Sequence, residues 1–497
     1  MDARIRRLGI ALLALLGLVF AQVNRIQVVA AESIAANPAN AARRIVADLE
    51  VARGRILARD GVTVLAESRP VGDGRYRRVY PAGPLYAPVT GHRSFIYGPT
   101  RVERAADDAL AGRSAALLPA TLVDRILGTP RAGGDVVTTI DPELQRAAAD
   151  ALGDRPGAVV AIDPATGDVL ALVANPSYDP NRLAGLRGEP VRAAWDELTA
   201  DPAQPLLSRA SEELYPPGST FKIITAAAAL AAGYGPQSRW PNPTSLDLPD
   251  TTAALDNFGG TRCLGAAEEI TLADAFRVSC NVTFGEIGLA LGPERLVAQA
   301  RAFGFGADPG AHLIPFDLPA AGGVVPDATA FADRRPAVAI SAIGQADVLA
   351  NPLQMALVSA AVANGGVLMR PRLLLEVRDP SGAVVERFGT EAWGRPMTPE
   401  DARALAELMA SVVAAGTGTA AAIDGVVVAG KTGTAQHGGG PIPHAWFTGF
   451  APLGGPVAAV AVLVLDGGSL GSEATGGRVA APVARAVLAA ALAMGAP

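Results

Sequence analysis

Residues 8–24 of this 497-residue chain carry no charge, stand behind Arg4, Arg6 and Arg7, and are followed beyond Arg25 by further apolar residues to Ala31. Basic residues ahead of one long apolar run predict a membrane anchor over residues 8–29, with 1–7 cytoplasmic and the bulk of the chain outside the cytoplasm. A cleaved signal peptide is the rival, because the densest part, 8–21, is short for a span of about 20 residues. From Ala30 to about Gly134 there is no long helical period, and turns at Asp60-Gly61 and Gly72-Asp73-Gly74 predict a small β-containing region. Residues 135–141 alternate as a strand, with Asp141 placed to cap a helix that starts at Pro142. Residues 157–163 and 168–173 read as a hairpin of two buried strands. Helical periods follow at 223–232, 270–276, 294–303, 351–364 and 479–493, and strand-like runs at 426–430, 447–452 and 457–465. Residues 234–262, rich in Gly, Pro, Asn and Asp, predict a long surface excursion.

Composition narrows this picture. Half of the residues are hydrophobic, enough for a sizeable core, and a net charge of -6 spread without long runs speaks against nucleic-acid binding. Cys263 and Cys280 are the two cysteines. Outside the cytoplasm they are expected to pair, pinning the backbone around Ser279-Cys280-Asn281; a buried thiol acting as a small hydrophobe is the alternative. His92, His312, His437 and His444 show no ligand spacing, so no metal site is expected. His437 and His444 flank the run Lys431-Thr432-Gly433-Thr434 and are expected in loops.

The chemistry is carried by the lysines. Of 42 basic residues only Lys222 and Lys431 are lysine. Arginine stays protonated at any working pH, whereas a buried ammonium near a second cation can lose its proton and act as a base. Lys222 stands three residues after Ser219 in Pro216-Pro217-Gly218-Ser219-Thr220-Phe221-Lys222, at the start of an apolar helix. That spacing puts hydroxyl and amine on one face, about one turn apart, with the serine where free backbone N–H groups favour negative charge. A free lysine has a pKa of about 10.4 and a useful base about 7 to 8, so Lys222 needs burial and a second cation, for which Lys431 is the candidate.

Ser-x-x-Lys at 219–222, Ser-x-Asn at 279–281 and Lys-Thr-Gly at 431–433, in that order, resemble the signature set of the penicillin-binding proteins and serine β-lactamases. The run 53–61 with Leu65-Ala66, and Gly91, Glu103, Leu110 and Gly112, are similar to the pedestal of the class B penicillin-binding proteins, as are 343–345, 351–355 and 416–420 to their catalytic domain. The short pedestal and paired cysteines resemble the actinobacterial short type. The resemblance implies an α+β protein with a β-rich pedestal over 30–135 and a transpeptidase domain over 136–497, its antiparallel sheet covered by helices and joined by an all-helical lobe. It implies a D,D-transpeptidase that acts on peptidoglycan stem peptides ending in D-Ala-D-Ala, is acylated by β-lactams, uses no cofactor, and works beside a membrane-embedded glycosyltransferase. Ser219 would be the nucleophile and Lys222 the base. Ser279 would pass a proton to the leaving amine, and Asn281 would hold substrate and Lys222. Lys431, Thr432 and Thr434 would bind the terminal carboxylate, and Gly433 would leave room for substrate along the strand. The backbone N–H groups of Ser219 and Thr434 would bind the oxyanion. A D,D-carboxypeptidase, a β-lactam sensor and a divisome or elongasome scaffold keep the same fold as alternatives.

Overall fold

The computed structural model describes residues 2–29, 49–117, 132–265, 267–308, 310–437 and 440–495. Residues 30–48 and 118–131 of the expected pedestal, and the end of the apolar run at Ala30 and Ala31, lie outside the described residues. An α-helix at Asp2–Asn24, continued by a π turn at Arg25–Val29, is exposed over residues 3–27 and long and apolar enough there to cross a membrane. A second helix of that length and character, Gly476–Gly495, is half-buried and packs against a sheet. Position in the fold makes it a core helix.

Two sheets organise the rest. The strands are, in chain order, β1 (Ile56–Leu57), β2 (Val64–Gly72), β3 (Arg75–Val79), β4 (Asp135–Thr138), β5 (Gly157–Ile162), β6 (Val169–Asn175), β7 (Leu374–Arg378), β8 (Val384–Arg387), β9 (Ala429–His437), β10 (Gly440–Ala451) and β11 (Ala458–Val464). The pedestal sheet runs β8-β7-β4-β1-β2-β3, with β1 parallel to β4. Its β4 straddles the expected boundary near Val136, and β7 and β8 come from more than two hundred residues downstream. The pedestal is therefore closed by catalytic-region chain. Further ties cross the junction: Asn181 accepts from and donates to the backbone of Tyr80, and Arg101 donates to Glu212 at 2.9 Å.

At the pedestal's centre Glu103 is fully buried between Arg53 at 3.0 Å and Arg78 at 2.5 Å, and accepts from Tyr80 Oη at 3.1 Å. Burial alone would raise its pKa, but the two guanidiniums outweigh it and hold the carboxyl at about 2. A depressed carboxylate pKa contributes stability that is present above its unfolded value of about 4.5 and lost as pH falls toward 2. Glu103→Gln leaves the buried Arg78 guanidinium short of a counter-charge, while Arg53 keeps Asp107 at 2.7 Å, and is expected to destabilise the pedestal by about 3–5 kcal/mol at pH 7 and to flatten the acid limb. Thermal unfolding across pH checks this. A variant as stable as wild type would remove the cluster from any account of the pedestal.

The catalytic sheet is antiparallel, in the order β9-β10-β11-β5-β6. Every residue of β5 and β11 is buried because the pleat sends alternate side chains into two cores. Val160, Ile162 and Leu463 face the inner helices, Lys222–Ala231 and Pro352–Ala363, while Val159, Val460 and Val462 face the outer pair, Pro142–Leu152 and Gly476–Gly495. Asp141 caps the first outer helix through the N–H groups of Glu143 and Leu144, as its position in the sequence requires.

Three sequence expectations are corrected. The strand read at 426–430 begins only at Ala429, because Val426 turns back to pair with Ile423. Residues 234–262 do not simply cross the surface, since Trp240, Asn242, Leu246, Leu255 and Asn257 are buried. The lobe beside the sheet is also not all-helical: the ribbons 239–241 with 269–271 and 245–247 with 254–256 pack on its helices. Gly285 makes room for the second ribbon, since a Cβ there would come within 2.8 Å of Leu255 and 2.9 Å of Leu246.

Candidate active site

The serine-bearing turn is fixed by close backbone approach. Gly218 begins a 3-10 turn, Gly218–Phe221, that leads into the helix Lys222–Ala231. Its N–H donates to Gly344 O at 2.9 Å, and a Cβ on Gly344 (φ +75°) would lie 2.1 Å from Gly218 O. On the other side a Cβ at Gly433 would meet Pro217 O at 2.8 Å, Thr220 at 3.0 Å and Trp446 at 3.0 Å. Gly433 therefore clears space for the serine turn, on the side facing the protein. That corrects the expectation that its missing side chain makes room for substrate. Trp446 Nε1 donates to Pro216 O at 2.9 Å and ties the same turn to β10.

Two ammonium-bearing side chains, both fully buried, converge on Ser279. Lys222 Nζ donates to Ser279 O and Asn281 Oδ1, each at 2.8 Å, with Cys280 O at 3.2 Å and Ser279 Oγ at 3.4 Å. Lys431 Nζ donates to Ser279 Oγ at 2.9 Å and Thr432 O at 3.1 Å. Phe284 and Phe276 wall the two amines, with ring centroids at 5.4 and 5.8 Å. Burial first, and then the charge of Lys431, hold Lys222 well below the ordinary lysine range. Burial brings Lys431 down to about 7. A neutral amine has two protons and one lone pair. The two acceptors at 2.8 Å take the protons of Lys222, which leaves its lone pair for a hydroxyl proton. Ser219 itself is half-exposed, and among the described residues its Oγ has no hydrogen-bond partner.

Ser279 occupies a left-handed turn (φ +63°) at the end of the helix Leu272–Arg277, and Asn281 opens the helix Asn281–Ala302. Cys263 and Cys280 form a disulfide with Cα atoms 5.9 Å apart. Asn257, in the stretch expected to be a plain surface excursion, caps the second helix: its Oδ1 accepts from Asn281 N at 3.0 Å and Val282 N at 3.1 Å. Asn281 Nδ2 donates to Asp256 O at 3.2 Å, so this loop aims the Asn281 carbonyl at Lys222. Nothing in the local pattern around Asn257 signals that role, because its partner is 24 residues away. Thr432 is nearly buried, with its hydroxyl 2.6 Å from that of Thr417, and Thr434 Oγ1 accepts from Gly476 N at 3.4 Å. Gly344 and Thr417 lie in stretches whose family likeness was legible, but no role was.

The histidines stand apart from this chemistry. His92 is buried beside Tyr178 at 2.8 Å, and burial lowers its pKa to about 4. His444, expected in a loop, is a buried member of β10 opposite Ala435, with its ring edge-on to Tyr215 and Nδ1 accepting from Asp466 N. His437 ends β9. Among the described residues there is no cluster of three or more His, Cys, Asp or Glu able to hold a metal.

The profile of the penicillin binding protein transpeptidase domain matches residues 157–489, two thirds of the chain. The chain belongs to the penicillin-binding protein transpeptidases. The profile of the penicillin binding protein A dimerisation domain matches residues 53–136, the pedestal. Among relatives of this penicillin-binding protein, the peptidoglycan D,D-transpeptidase PbpA of Mycolicibacterium smegmatis is 44% identical and that of Mycobacterium tuberculosis 42%, each aligned over 99% of both chains. The ceftriaxone acyl-enzyme structure of penicillin-binding protein A from M. tuberculosis superposes with a TM-score of 0.84 at 42% identity, covering 90% of this chain and 100% of that one. The imipenem acyl-enzyme of the same protein gives 0.82 at 41%, over 90% and 100%. The α+β architecture with a pedestal and a transpeptidase domain is thus that of the family.

Proposed function

We propose that this penicillin-binding protein is a serine D,D-transpeptidase that cross-links peptidoglycan stem peptides ending in D-Ala-D-Ala and is acylated by β-lactams. The observation that carries the reading is the convergence of two buried lysines on Ser279, one of them three residues along the helix from a partly exposed Ser219. Neutral Lys222 takes the Ser219 proton as Oγ attacks the penultimate D-Ala carbonyl. The negative oxygen is met by the N–H groups of Ser219 and Thr434, interactions of a kind worth about 3–4 kcal/mol per donor. The C–N bond to the terminal D-Ala then breaks. Ser279 Oγ, which accepts from Lys431, gives its proton to the departing amine and regains one from Lys222. An acyl-enzyme ester remains on Ser219. The amine of a neighbouring stem peptide attacks that ester, the new amide forms, and Ser219 recovers its proton. Lys431, Thr432 and Thr434 hold the terminal carboxylate through charge-assisted bonds, and Asn281 holds Lys222 and the substrate backbone.

The apolar helix at Asp2–Asn24 anchors the chain in the membrane. In the same reading it crosses once, residues 30–497 lie outside the cytoplasm, and a membrane-embedded glycosyltransferase supplies the glycan strands. Assay of the full chain with a stem pentapeptide and a second peptide bearing a free side-chain amine tests the activity. Release of one D-Ala per cross-linked product supports it. Release with only the water-cleaved tetrapeptide would make the chain a carboxypeptidase, and no release from protein that still binds penicillin would make it a sensor.

A further inference from the structure

Thr432 and Thr434 share a face of β9, because alternate residues of a strand point the same way. Each hydroxyl is met by a hydrogen-bonding group supplied from elsewhere in the fold. Thr417 Oγ1 lies 2.6 Å from Thr432 Oγ1, and the Gly476 N–H donates to Thr434 Oγ1 over 3.4 Å. A threonine hydroxyl has one proton and two lone pairs. When a neighbour's proton occupies one lone pair, the threonine's own proton must turn elsewhere. An anion gains from a hydroxyl only if that proton points at it.

We infer that Thr417 is a positioning residue for the substrate carboxylate: its hydroxyl donates to Thr432, so that the Thr432 proton is presented to the anion. The Gly476 N–H does the same for Thr434. The inference rests on the reading of Ser219 as the acyl-transfer nucleophile and of Lys431, Thr432 and Thr434 as the carboxylate site.

The fold holds Thr417 in place from two sides. Arg277, at the end of the helix leading to Ser279, donates from Nη1 to Ala415 O at 3.0 Å and accepts at its carbonyl from Thr417 N at 3.4 Å. A Cβ on Gly416 would lie 2.3 Å from Arg277 O, and one on Gly477 would lie 2.3 Å from Thr417 O. The backbone of 415–417 is thus wedged between the Ser279 helix and the first turn of Gly476–Gly495. Thr417 itself is exposed, so its hydroxyl is free to rotate toward Thr432 without leaving a buried group unpaired.

The test uses the full chain in detergent, with Thr417→Val and Thr417→Ser, and two probes: benzylpenicillin and its methyl ester, which lacks the carboxylate charge. Acylation is followed by intact mass against time over a range of probe concentrations. Thr417→Val is expected to lower the second-order rate constant for benzylpenicillin about 10- to 100-fold, through weaker encounter binding and not through the rate at saturation. The ester's rate should be unchanged, and Thr417→Ser should restore the wild-type rate. Equal slowing of both probes, no slowing of either, or a serine variant as slow as the valine one would overturn the assignment. If valine is not tolerated by the fold, Thr417→Ala removes the same hydroxyl with less bulk and is judged by the same ratio. A wild-type chain acylated by neither probe overturns the reading of Ser219 itself, a result visible before any variant is compared.

Discussion

Ser219→Ala leaves a folded chain that forms no covalent adduct with benzylpenicillin, whereas wild type gains one equivalent. The expected loss is complete, because no other group can replace an ester-forming oxygen at this position; in serine acyl-transfer enzymes such a deletion costs on the order of a millionfold in rate. The fold should not notice. Ser219 is half-exposed and, among the described residues, its Oγ pairs with nothing, so alanine strands no buried polar atom and stability should stay within about 0.5 kcal/mol of wild type. Intact mass and a thermal melt measured together decide the matter. An adduct that persists in the variant would move the nucleophile elsewhere and remove the basis of the mechanism.

Lys222→Arg is expected to slow acylation by at least about a thousandfold, and Lys222→Met by as much, for different reasons. Arginine keeps its charge in a site with room only for an amine hydrogen-bonded to Ser279 O and Asn281 Oδ1; methionine has no lone pair for the serine proton. The pH dependence of wild type follows from the same two amines. Lys222 must be neutral and Lys431 charged, so acylation rises as pH passes the lowered pKa of Lys222 and falls as Lys431 deprotonates near 7. A bound carboxylate favours charged Lys431 and moves the alkaline limb upward. Stability has the opposite sense. A lysine depressed in the folded state binds fewer protons there than in the unfolded chain, so folding stability rises with pH from about 7 to about 10.5. Lys431→Met should remove its own share of that slope, leaving the share of Lys222, and should abolish the alkaline limb. Retained fast acylation in Lys222→Arg would show that the serine proton leaves by another route.

The corrected elements share one feature. Residues 426–428 have the apolar pattern of a strand, yet the chain there turns back on itself and pairing with β10 begins at Ala429. Residues 234–262 have the composition of a loop, yet Trp240, Leu246 and Leu255 find apolar cover. His444 sits among Gly and Pro residues but is carried into β10 by its pairing with Ala435. In each case local propensity was overruled by pairing or packing, with a near neighbour for Val426 (Ile423) and His444 (Ala435) and with distant segments for 234–262. The pedestal is the largest such case, since β7 and β8 join its sheet from the catalytic region.

The sequence by itself determined the chemistry. Two lysines in a chain that otherwise uses arginine, one of them a helical turn from Ser219, state that a titratable amine is required at each place, and the order of three short motifs names the family. Tertiary structure alone decided how those amines are tuned and held. Lys222 and Lys431 lose their ordinary pKa values only because packing excludes water from both and sets the charge of Lys431 near Lys222; the same packing brings both amines to the Ser279 hydroxyl. Asn257, Gly344, Trp446 and Thr417 belong to the site only through hydrogen bonds and backbone contacts that span 15 to 230 residues. Such contacts leave no periodicity and no motif, because each depends on where a distant segment is placed and not on the residues beside it.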